Sequence, residues 1–396
     1  MSFVSTFNSL STNGWSARSS GGYSPIYVLA NTNVGYDVAM SQDGNYVIAS
    51  NPTANSSGIV KVYTVVNNNS LINQANIIGN NYGANVIKNF GTSIGIDYDG
   101  TRFVSGATVN GTGNANAGSA RIYVRSDTTW NVETQINPPV SNTNSFGQTV
   151  VINNSGDIVA IGEGIVFGTH TVRTYSRSGN TWTSLANIPS PTSNNIFFGC
   201  SIAMDGNNTL VVGAFSANNS GTGSGAAYVY NSTSGSLLAT LLASDGAAGD
   251  NFGAQVDISN DGNTIVITAP GVNSSTGAAY VYKGSGSSWT QVQKLLPFGT
   301  TGTFGTSDDL TSQGVSGNGS ILAISATYPT GNTANYTSLL TYIDSSNTNN
   351  YSSSQQIQYP AAQYFGAAVD MNYSGSLMIT SAGNNSLSGN LILLGQ

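Results

Sequence analysis

Short stretches of the sequence alternate apolar and polar residues, and these stretches come in pairs. In the clearest copy, Val256-Asp257-Ile258 and the run from Thr264 to Ala269 flank the dipeptide Asp261-Gly262. Alternation with a period of two is typical of a half-buried strand, and glycine accepts the positive φ that tight turns require. The pattern predicts a β-hairpin. No stretch of the sequence sustains the 3.6-residue period that would indicate a helix.

This hairpin recurs along the chain, each time behind a glycine that follows an aromatic or apolar residue. The anchor glycines stand 56, 56, 52, 54, 52 and 61 residues apart, which is room for about four short strands per unit. A second hairpin follows the first, as in 277–282 and 289–296. We therefore predict seven antiparallel four-stranded units, anchored at Gly35, Gly91, Gly147, Gly199, Gly253, Gly305 and Gly366.

The two ends of the chain hold complementary parts of a unit. The spacing to the next anchor glycine is 17, 17, 16 and 20 residues for Trp130, Trp182, Trp289 and Trp15. Trp15 thus marks the fourth strand of a unit whose first three strands do not precede it in the sequence. Residues 388–394, at the other end, match the third strand of a unit, and no fourth strand follows them. We expect the strand around Tyr23 to Ala30 to complete the last unit beside residues 389 to 394.

These features predict an all-β fold, a seven-bladed β-propeller with four-stranded antiparallel blades. Because the N-terminal strand completes the last blade, the ring is closed and its sheet edges are protected. We expect one domain over residues 1–396, with residues 1–34 as the N-terminal segment that carries the closing strand.

Composition restricts the possible partners. Only 7% of residues are Asp, Glu, Lys or Arg, against about 25% in typical soluble domains. A net charge of −7 does not supply the dense Lys/Arg surface that nucleic-acid binding requires, so we expect no nucleic-acid partner. The sequence also holds no run of apolar residues long enough to span a membrane, and its first residues do not resemble a signal peptide.

The units resemble the FG-GAP repeat family, best known from the integrin α-subunit propeller. The Phe-Gly pair is present at Phe90-Gly91, Phe146-Gly147, Phe198-Gly199, Phe252-Gly253, Phe304-Gly305 and Phe365-Gly366, while Val34-Gly35 departs from it. The resemblance implies a propeller and, in some blades, a calcium loop of alternating acids. Only Asp97 and Asp99 keep two acids in alternation here. They are weak calcium candidates, because aspartates that form hydrogen bonds with the backbone of their own turn would give the same sequence pattern. We expect no cofactor.

Few residues suit catalysis, so we expect a protein that is not an enzyme. His170 is the only histidine, Cys200 the only thiol, and Glu133 and Glu163 are the only glutamates. The adjacent pair Asp308-Asp309 would point to opposite faces of a strand.

The basic residues show a pattern. Arg121 and Arg173 occupy equivalent places in consecutive repeats, and so do Arg125 and Arg177. These four arginines are a candidate binding site for an acidic or carbonyl-rich partner. The alternative is a set of solvated rim arginines paired to Asp127 or Glu133. For the repeated tryptophans, packing against the blades is favoured over ligand stacking.

We therefore expect a non-enzymatic structural or interaction protein that presents a propeller surface to other proteins of an assembly. Its neutral polar composition resembles that of large-virus capsid proteins, so a virion or another external assembly, formed from protein made in the cytoplasm, is the expected location. An adhesin-like, glycan-binding propeller is the alternative. An enzyme with a site at the mouth of the channel is third.

Overall fold

The structure is a computed structural model. It describes residues 23–79, 86–111, 118–139, 146–163, 170–192, 197–298, 303–304, 313–328, 336–346, 348–358, 364–383 and 389–396. Of the features predicted above, Trp15, Gly305 and Asp308-Asp309 lie outside these residues.

The strands form seven separate antiparallel sheets, which are numbered here as blades. Blade 1 holds β2 (Val38–Met40), β3 (Tyr46–Asn51), β4 (Ile59–Val66) and β5 (Ser70–Ile78). Blade 2 holds β6 (Val86–Ile96), β7 (Arg102–Gly111), β8 (Ser119–Ser126) and β9 (Thr129–Ile136). Blade 3 holds β10 (Phe146–Ile152), β11 (Ile158–Glu163), β12 (Thr171–Ser178) and β13 (Thr181–Pro189).

Blade 4 holds β14 (Ile202–Met204), β15 (Thr209–Ala214), β16 (Ala226–Asn231) and β17 (Leu237–Leu241). Blade 5 holds β18 (Val256–Ile258), β19 (Thr264–Ala269), β20 (Ala278–Ser285) and β21 (Ser288–Leu295). In blade 6, β22 (Thr303–Phe304) and β23 (Gln313–Val315) both pair with β24 (Ile321–Tyr328), and β25 (Tyr336–Ile343) and β26 (Ser352–Gln358) follow. Residues 305–312, between β22 and β23, lie outside the described residues.

Blade 7 is built from both ends of the described chain. β27 (Tyr364–Met371), β28 (Leu377–Gly383) and β29 (Gly389–Gly395) supply three strands, and β1 (Ser24–Leu29) pairs antiparallel with β29 as the outermost strand. The register runs from Ser24 opposite Gly395 to Leu29 opposite Leu391. The predicted seven-bladed propeller and its closure by the N-terminal strand are confirmed.

The hydrophobic core is divided into sectors that lie between neighbouring blades. In the sector between blades 7 and 1, Val38 and Met40 pack with Ile379, Leu391 and Leu393. In the sector between blades 6 and 7, the aromatic ring of the repeat motif, Phe365, packs with residues of both sheets. Because each sheet buries both faces against its neighbours, stability depends on completing the ring.

Helix is almost absent from the described residues, which contain one short 3₁₀ turn (Ala54–Ser56) and one helical turn (Val272–Ser275). None of the helical segments within the described residues has the length and apolar character of a membrane span.

The hairpins between the first and second strands all lie on one face of the ring, named here the turn face. A polar residue at the start of each turn stabilises it. Ser41 and Ser259, for example, accept the backbone N–H groups of Tyr46 (2.9 Å) and Thr264 (3.0 Å). In the equivalent position of blade 2, the Asp97 carboxylate accepts the N–H of Arg102 at 2.9 Å. The Asp-Gly and related dipeptides thus form the turns that the sequence predicted.

Candidate functional site

The first strands of the blades surround a central channel with a volume of about 340 Å³. This size is in the range of small-molecule pockets. Three carboxyl groups, those of Asp37, Asp257 and Asp370, line the channel, and none of its described lining residues is Lys, Arg or His. The channel is therefore the first candidate site in the described part of the chain.

Each of the three carboxylates joins two blades, an arrangement named here a carboxyl clasp. Asp37 accepts the N–H of Val38 in its own blade and that of Ile94 in blade 2, both at 2.9 Å. Each clasp thus caps an edge N–H group of the next blade, which would otherwise lack a partner in the ladder.

Asp257 and Asp370 form the same arrangement at other blade junctions. Asp257 accepts the N–H of Ile258 at 2.8 Å and that of Val315 in blade 6 at 2.9 Å. Asp370 accepts the N–H of Met371 at 2.7 Å and that of Met40 in blade 1 at 2.8 Å. The clasps therefore connect blade 7 to blade 1, blade 1 to blade 2, and blade 5 to blade 6.

Desolvation in the channel wall is the main influence on these carboxyls. It raises the pKa of Asp37 to about 7, of Asp257 to about 8 and of Asp370 to about 6. The negative charge of Asp370 raises the pKa of Asp37 and of Asp257 further, while the donated N–H groups oppose these shifts. Three groups that ordinarily ionise below pH 5 thus have pKa values near neutrality.

At the turn face, backbone hydrogen bonds between neighbouring hairpins tie the mouth of the channel into a rim. Tyr373 donates its N–H to Gln42 (2.9 Å), Asp43 to Tyr98 (3.1 Å) and Tyr98 to Asn154 (3.2 Å). The residues of the rim occupy one equivalent position per blade, and they are Gln42, Tyr98, Asn154, Gly206, Asn260, Gly317 and Tyr373.

Part of this mouth is covered by a pair of amides. Asn154 of blade 3 donates to Asn260 of blade 5 at 2.6 Å, and Asn260 donates back at 2.9 Å. Gly206 of the intervening blade leaves room for the pair, because a Cβ there would lie 2.4 Å from the Asn154 amide nitrogen. On the rest of the rim, Tyr98 and Tyr373 expose 41% and 38% of their surface. Gln42 lies between them in the blade order.

The four predicted arginines lie at equivalent places in blades 2 and 3, donate hydrogen bonds within their own blades and, in the case of Arg125, also contact a ring of blade 1. Arg125 donates through Nε to the turn carbonyl of Gly100 at 2.8 Å, and Arg177 donates to Gly156 at 3.3 Å. The Arg125 guanidinium also lies 4.6 Å from the centre of the Tyr46 ring.

The other two predicted arginines are more deeply placed. Arg121 is only 3% exposed and donates to Gln135 at 2.9 Å, and Arg173 forms an ion pair with Glu163. Arg125 and Arg177 are thus the two that lie near the turn face, and contact of the arginines with a partner stays a prediction. Glu133, considered above as their counter-ion, receives its hydrogen bonds from Arg102 and Trp182.

The calcium candidates serve the turn in which they lie. Both carboxylate oxygens of Asp97 accept the N–H of Arg102 at 2.9 Å, and Asp99 accepts that of Thr101 at 3.0 Å. Desolvation raises the pKa of Asp97 to about 7. No cluster of three or more His, Cys, Asp or Glu side chains suited to a metal occurs among the described residues. The geometry favours the turn-forming interpretation.

The remaining candidates have structural contacts. His170 is buried. The Cys200 thiol donates to the carbonyl of Gly253 at 3.5 Å, and desolvation raises its pKa to about 12. Trp130, Trp182 and Trp289 pack against the core sectors, as the packing interpretation predicted.

Sequence reasoning missed the clasps, although one signal was present. In most blades the residues that contribute to the channel wall are small or neutral, as at Ser93, Thr149 and Ser201. Asp37, two residues after its anchor glycine, and Asp257 and Asp370, four residues after theirs, are ionisable residues in the same short segments. An acid in the innermost strand of a propeller is therefore the signal that could have identified them.

Comparisons with known proteins agree with this architecture. The model of the FG-GAP repeat family matches residues 184–230 and 236–282. No curated protein matches the chain.

Solved structures show the same fold at low sequence identity. The β-propeller domain of Cps50 (Swd1) from Myceliophteria thermophila has a TM-score of 0.61 and 9% identity, over 92% of this chain and 99% of that one. The periplasmic gluconolactonase PpgL of Pseudomonas aeruginosa has a TM-score of 0.57 and 13% identity, over 90% and 89%. The C-terminal WD40 domain of Sif2 has a TM-score of 0.52 and 11% identity, over 94% and 98%.

These neighbours include an enzyme and a WD40 domain, so they establish the fold and leave the function to be argued from the site. The repeated Phe-Gly motif, the seven sheets and the family match agree with one another. The chain is a seven-bladed β-propeller, and its residues 184–230 and 236–282 match the FG-GAP repeat.

Proposed function

We propose that this protein is a non-enzymatic interaction module that binds its partners through the turn face. The observation that carries the proposal is the pair Tyr98 and Tyr373, which are exposed at equivalent positions on either side of Gln42. Tyrosine is enriched at protein interfaces because its ring buries a large area while its hydroxyl can form a hydrogen bond.

The frame beneath the two tyrosines supports this proposal. Their backbones are hydrogen-bonded to the neighbouring blades on the rim, so little backbone conformational entropy remains to be lost on binding. The three carboxyl groups of the channel, in contrast, are engaged in joining the blades. The turn face therefore suits binding better than the channel wall suits catalysis.

The test compares two double variants. Tyr98→Ser with Tyr373→Ser removes the proposed contact, and Ile72→Ser with Leu237→Ser removes apolar groups that are 53% and 47% exposed on the outermost strands of blades 1 and 4. Cross-linking in the native assembly should lose its products with the first variant and keep them with the second. The reverse result would place binding on the outer strands and overturn the proposal.

The finer proposal is that the assembly is a virus particle or another external structure. Its support is the composition, in which neutral polar residues replace most charges. Mass spectrometry of purified particles should detect the chain in a fixed ratio to the main shell protein. Particles that lack the chain would remove this part of the proposal and leave the interaction role in place.

A glycan is the alternative partner for the same face. Exposed tyrosine rings, such as those of Tyr98 and Tyr373, can stack on the apolar face of a sugar. A glycan array probed with the wild-type chain and with the Tyr98→Ser, Tyr373→Ser variant tests this alternative. Binding that is lost in the variant would favour a glycan over a protein partner.

A further inference from the structure

The carboxyl clasp of Asp37, which stands two residues after its anchor glycine, has neutral counterparts at the same position of other blades. The Ser93 hydroxyl of blade 2 accepts the N–H of Val150 in blade 3 at 3.1 Å, and Ser201 of blade 4 accepts that of Val256 in blade 5 at 3.0 Å. These are named here the hydroxyl clasps. They show that a blade junction can be joined at this position without an ionisable group.

Two of the three carboxyl clasps lie beside the closure of the ring. Asp370 joins blade 7, which holds the paired N- and C-terminal strands, to blade 1, and Asp37 joins blade 1 to blade 2. We propose that this seam is a proton-linked latch, in which the junctions of blade 1 are most stable with Asp37 and Asp370 protonated and loosen when these carboxyls ionise.

Apart from the two backbone N–H groups that each carboxylate accepts, the environment of the latch contains little that could stabilise the ionised form of Asp37 or Asp370. The channel lining adds Asp257, Cys200 and Tyr36 as its other ionisable residues. Among the side chains that the structure describes, the strands packed against the latch add Lys88 on β6, Tyr46 on β3 and Tyr342 on β25. Lys88, the only cation of this set, is exposed and precedes Ile94 by six residues in the sequence. Asp37 and Asp370 are half-buried in the channel wall, so a negative charge on either is incompletely hydrated and meets a neighbouring acid.

The sign of the pH dependence follows from linkage. The pKa values of Asp37 and Asp370, about 7 and about 6, lie above the ordinary aspartate value of 3.8 that applies when the junction is open. The native junction thus binds protons more tightly than the open one. Its stabilisation is complete below about pH 4 and is lost as the pH rises through 6 to 7. Each differing proton changes the opening equilibrium by up to about tenfold per pH unit.

The wild-type protein contains its own control for the test. Hydrogen exchange between pH 5 and 8 reports protection of the N–H groups of Met40 and Ile94, held by carboxyl clasps, and of Val150 and Val256, held by hydroxyl clasps. After correction for the intrinsic rate, protection of the first pair should fall by tenfold or more, while that of the second stays constant. Equal behaviour of the two pairs would overturn the proposal.

A substitution can remove the ionisable group of Asp37 while it keeps the hydrogen bond to the next blade. Asp37→Ser copies the natural arrangement of Ser93, so the junction is retained while its proton is lost. Urea unfolding should then show a weaker pH dependence than in the wild type, by up to about one proton between pH 5 and 7. An unchanged slope would contradict the proposal.

If the variant does not fold, carboxyl ¹³C titration of the wild-type chain decides. Apart from Asp97, Asp205 and Asp257, assigned through Asp97→Asn, Asp205→Asn and Asp257→Asn, two aspartates should titrate between pH 5 and 8, and none doing so would refute the latch.

Discussion

Trp182 of blade 3 donates its indole N–H to a carboxylate oxygen of Glu133 in blade 2, at 2.9 Å. The same carboxylate accepts Arg102 through Nε at 3.2 Å and through a terminal nitrogen at 3.0 Å. The repeated tryptophan therefore packs on its own blade and, at this junction, also binds a neighbour. Glu133 connects the outer strand of one blade to the outer strand of the next.

Replacement of Glu133 should destabilise the junction between blades 2 and 3. The carboxylate side chain is 4% exposed, and its removal leaves the Arg102 charge and the Trp182 donor without their partner. We expect Glu133→Ala to lower the free energy of unfolding by about 3 kcal/mol. Trp182→Phe, which removes the indole donor together with part of the ring that packs on the core, should cost about 2 kcal/mol. Urea titration at pH 7 measures both, and equal losses would mean that the ion pair contributes nothing beyond the indole bond.

The effect of Glu133 should also disappear in acid. Desolvation acts to raise the pKa of Glu133, but the hydrogen bonds from Arg102 and Trp182 and the Arg102 charge hold it below its ordinary value. A lowered pKa gives stability that is present above the unfolded value and is lost as the pH falls through the folded one. The difference between wild type and Glu133→Gln should therefore shrink below about pH 4. A difference that grows in acid would contradict this assignment.

The closing strand can be tested at its apolar contacts. Val28 on β1 packs against the sector between blades 6 and 7, next to Ile392 and Leu394. A charge at this position enters a desolvated contact without a partner, so Val28→Asp should lower the free energy of unfolding by about 2–3 kcal/mol. Ser24→Asp, on the exposed start of the same strand, is the control and should change stability by less than about 0.5 kcal/mol. Thermal unfolding of the two variants distinguishes them.

Periodic features of the fold were predictable from the sequence because each blade repeats them. The Phe-Gly motif and the turn dipeptides recur at a nearly fixed spacing, so one chain holds several copies of the pattern that predicts a blade. The same spacing shows that the last unit lacks its fourth strand at the C-terminal end. The clasp of Asp370 has no such signal, since its partner Met40 is 330 residues away. Likewise, Glu133 was considered as a partner of the repeated arginines, whereas its pairing with Arg102 depends on how two strands of one blade place their side chains.

The glycine of the repeated motif is a second test of the fold, with a control in the same blade. Gly147 has a φ of +87°, and a Cβ there would lie 2.4 Å from the carbonyl oxygen of Ser119 in blade 2. Gly179 has a φ of +62° with nothing within 4 Å of its Cβ position. We expect Gly147→Ala to cost about 3 kcal/mol or more and Gly179→Ala about 1 kcal/mol. Similar costs in urea titration would show that backbone conformation alone, and not the contact between blades, requires glycine at the motif.

The reactivity of the Cys200 thiol measures how strongly the channel wall disfavours a charged group. Desolvation raises its pKa to about 12, whereas an unfolded cysteine ionises near pH 8.5. Only the thiolate reacts with iodoacetamide, so alkylation of the native protein at pH 8 should be on the order of a thousandfold slower than in denaturant. The rate should still rise about tenfold per pH unit up to pH 9, because the thiolate fraction does. Mass spectrometry follows the reaction at this single cysteine. A native rate within tenfold of the denatured one would mean that water solvates the thiolate in the channel, and the raised pKa values assigned to the neighbouring clasps would have to be revised with it.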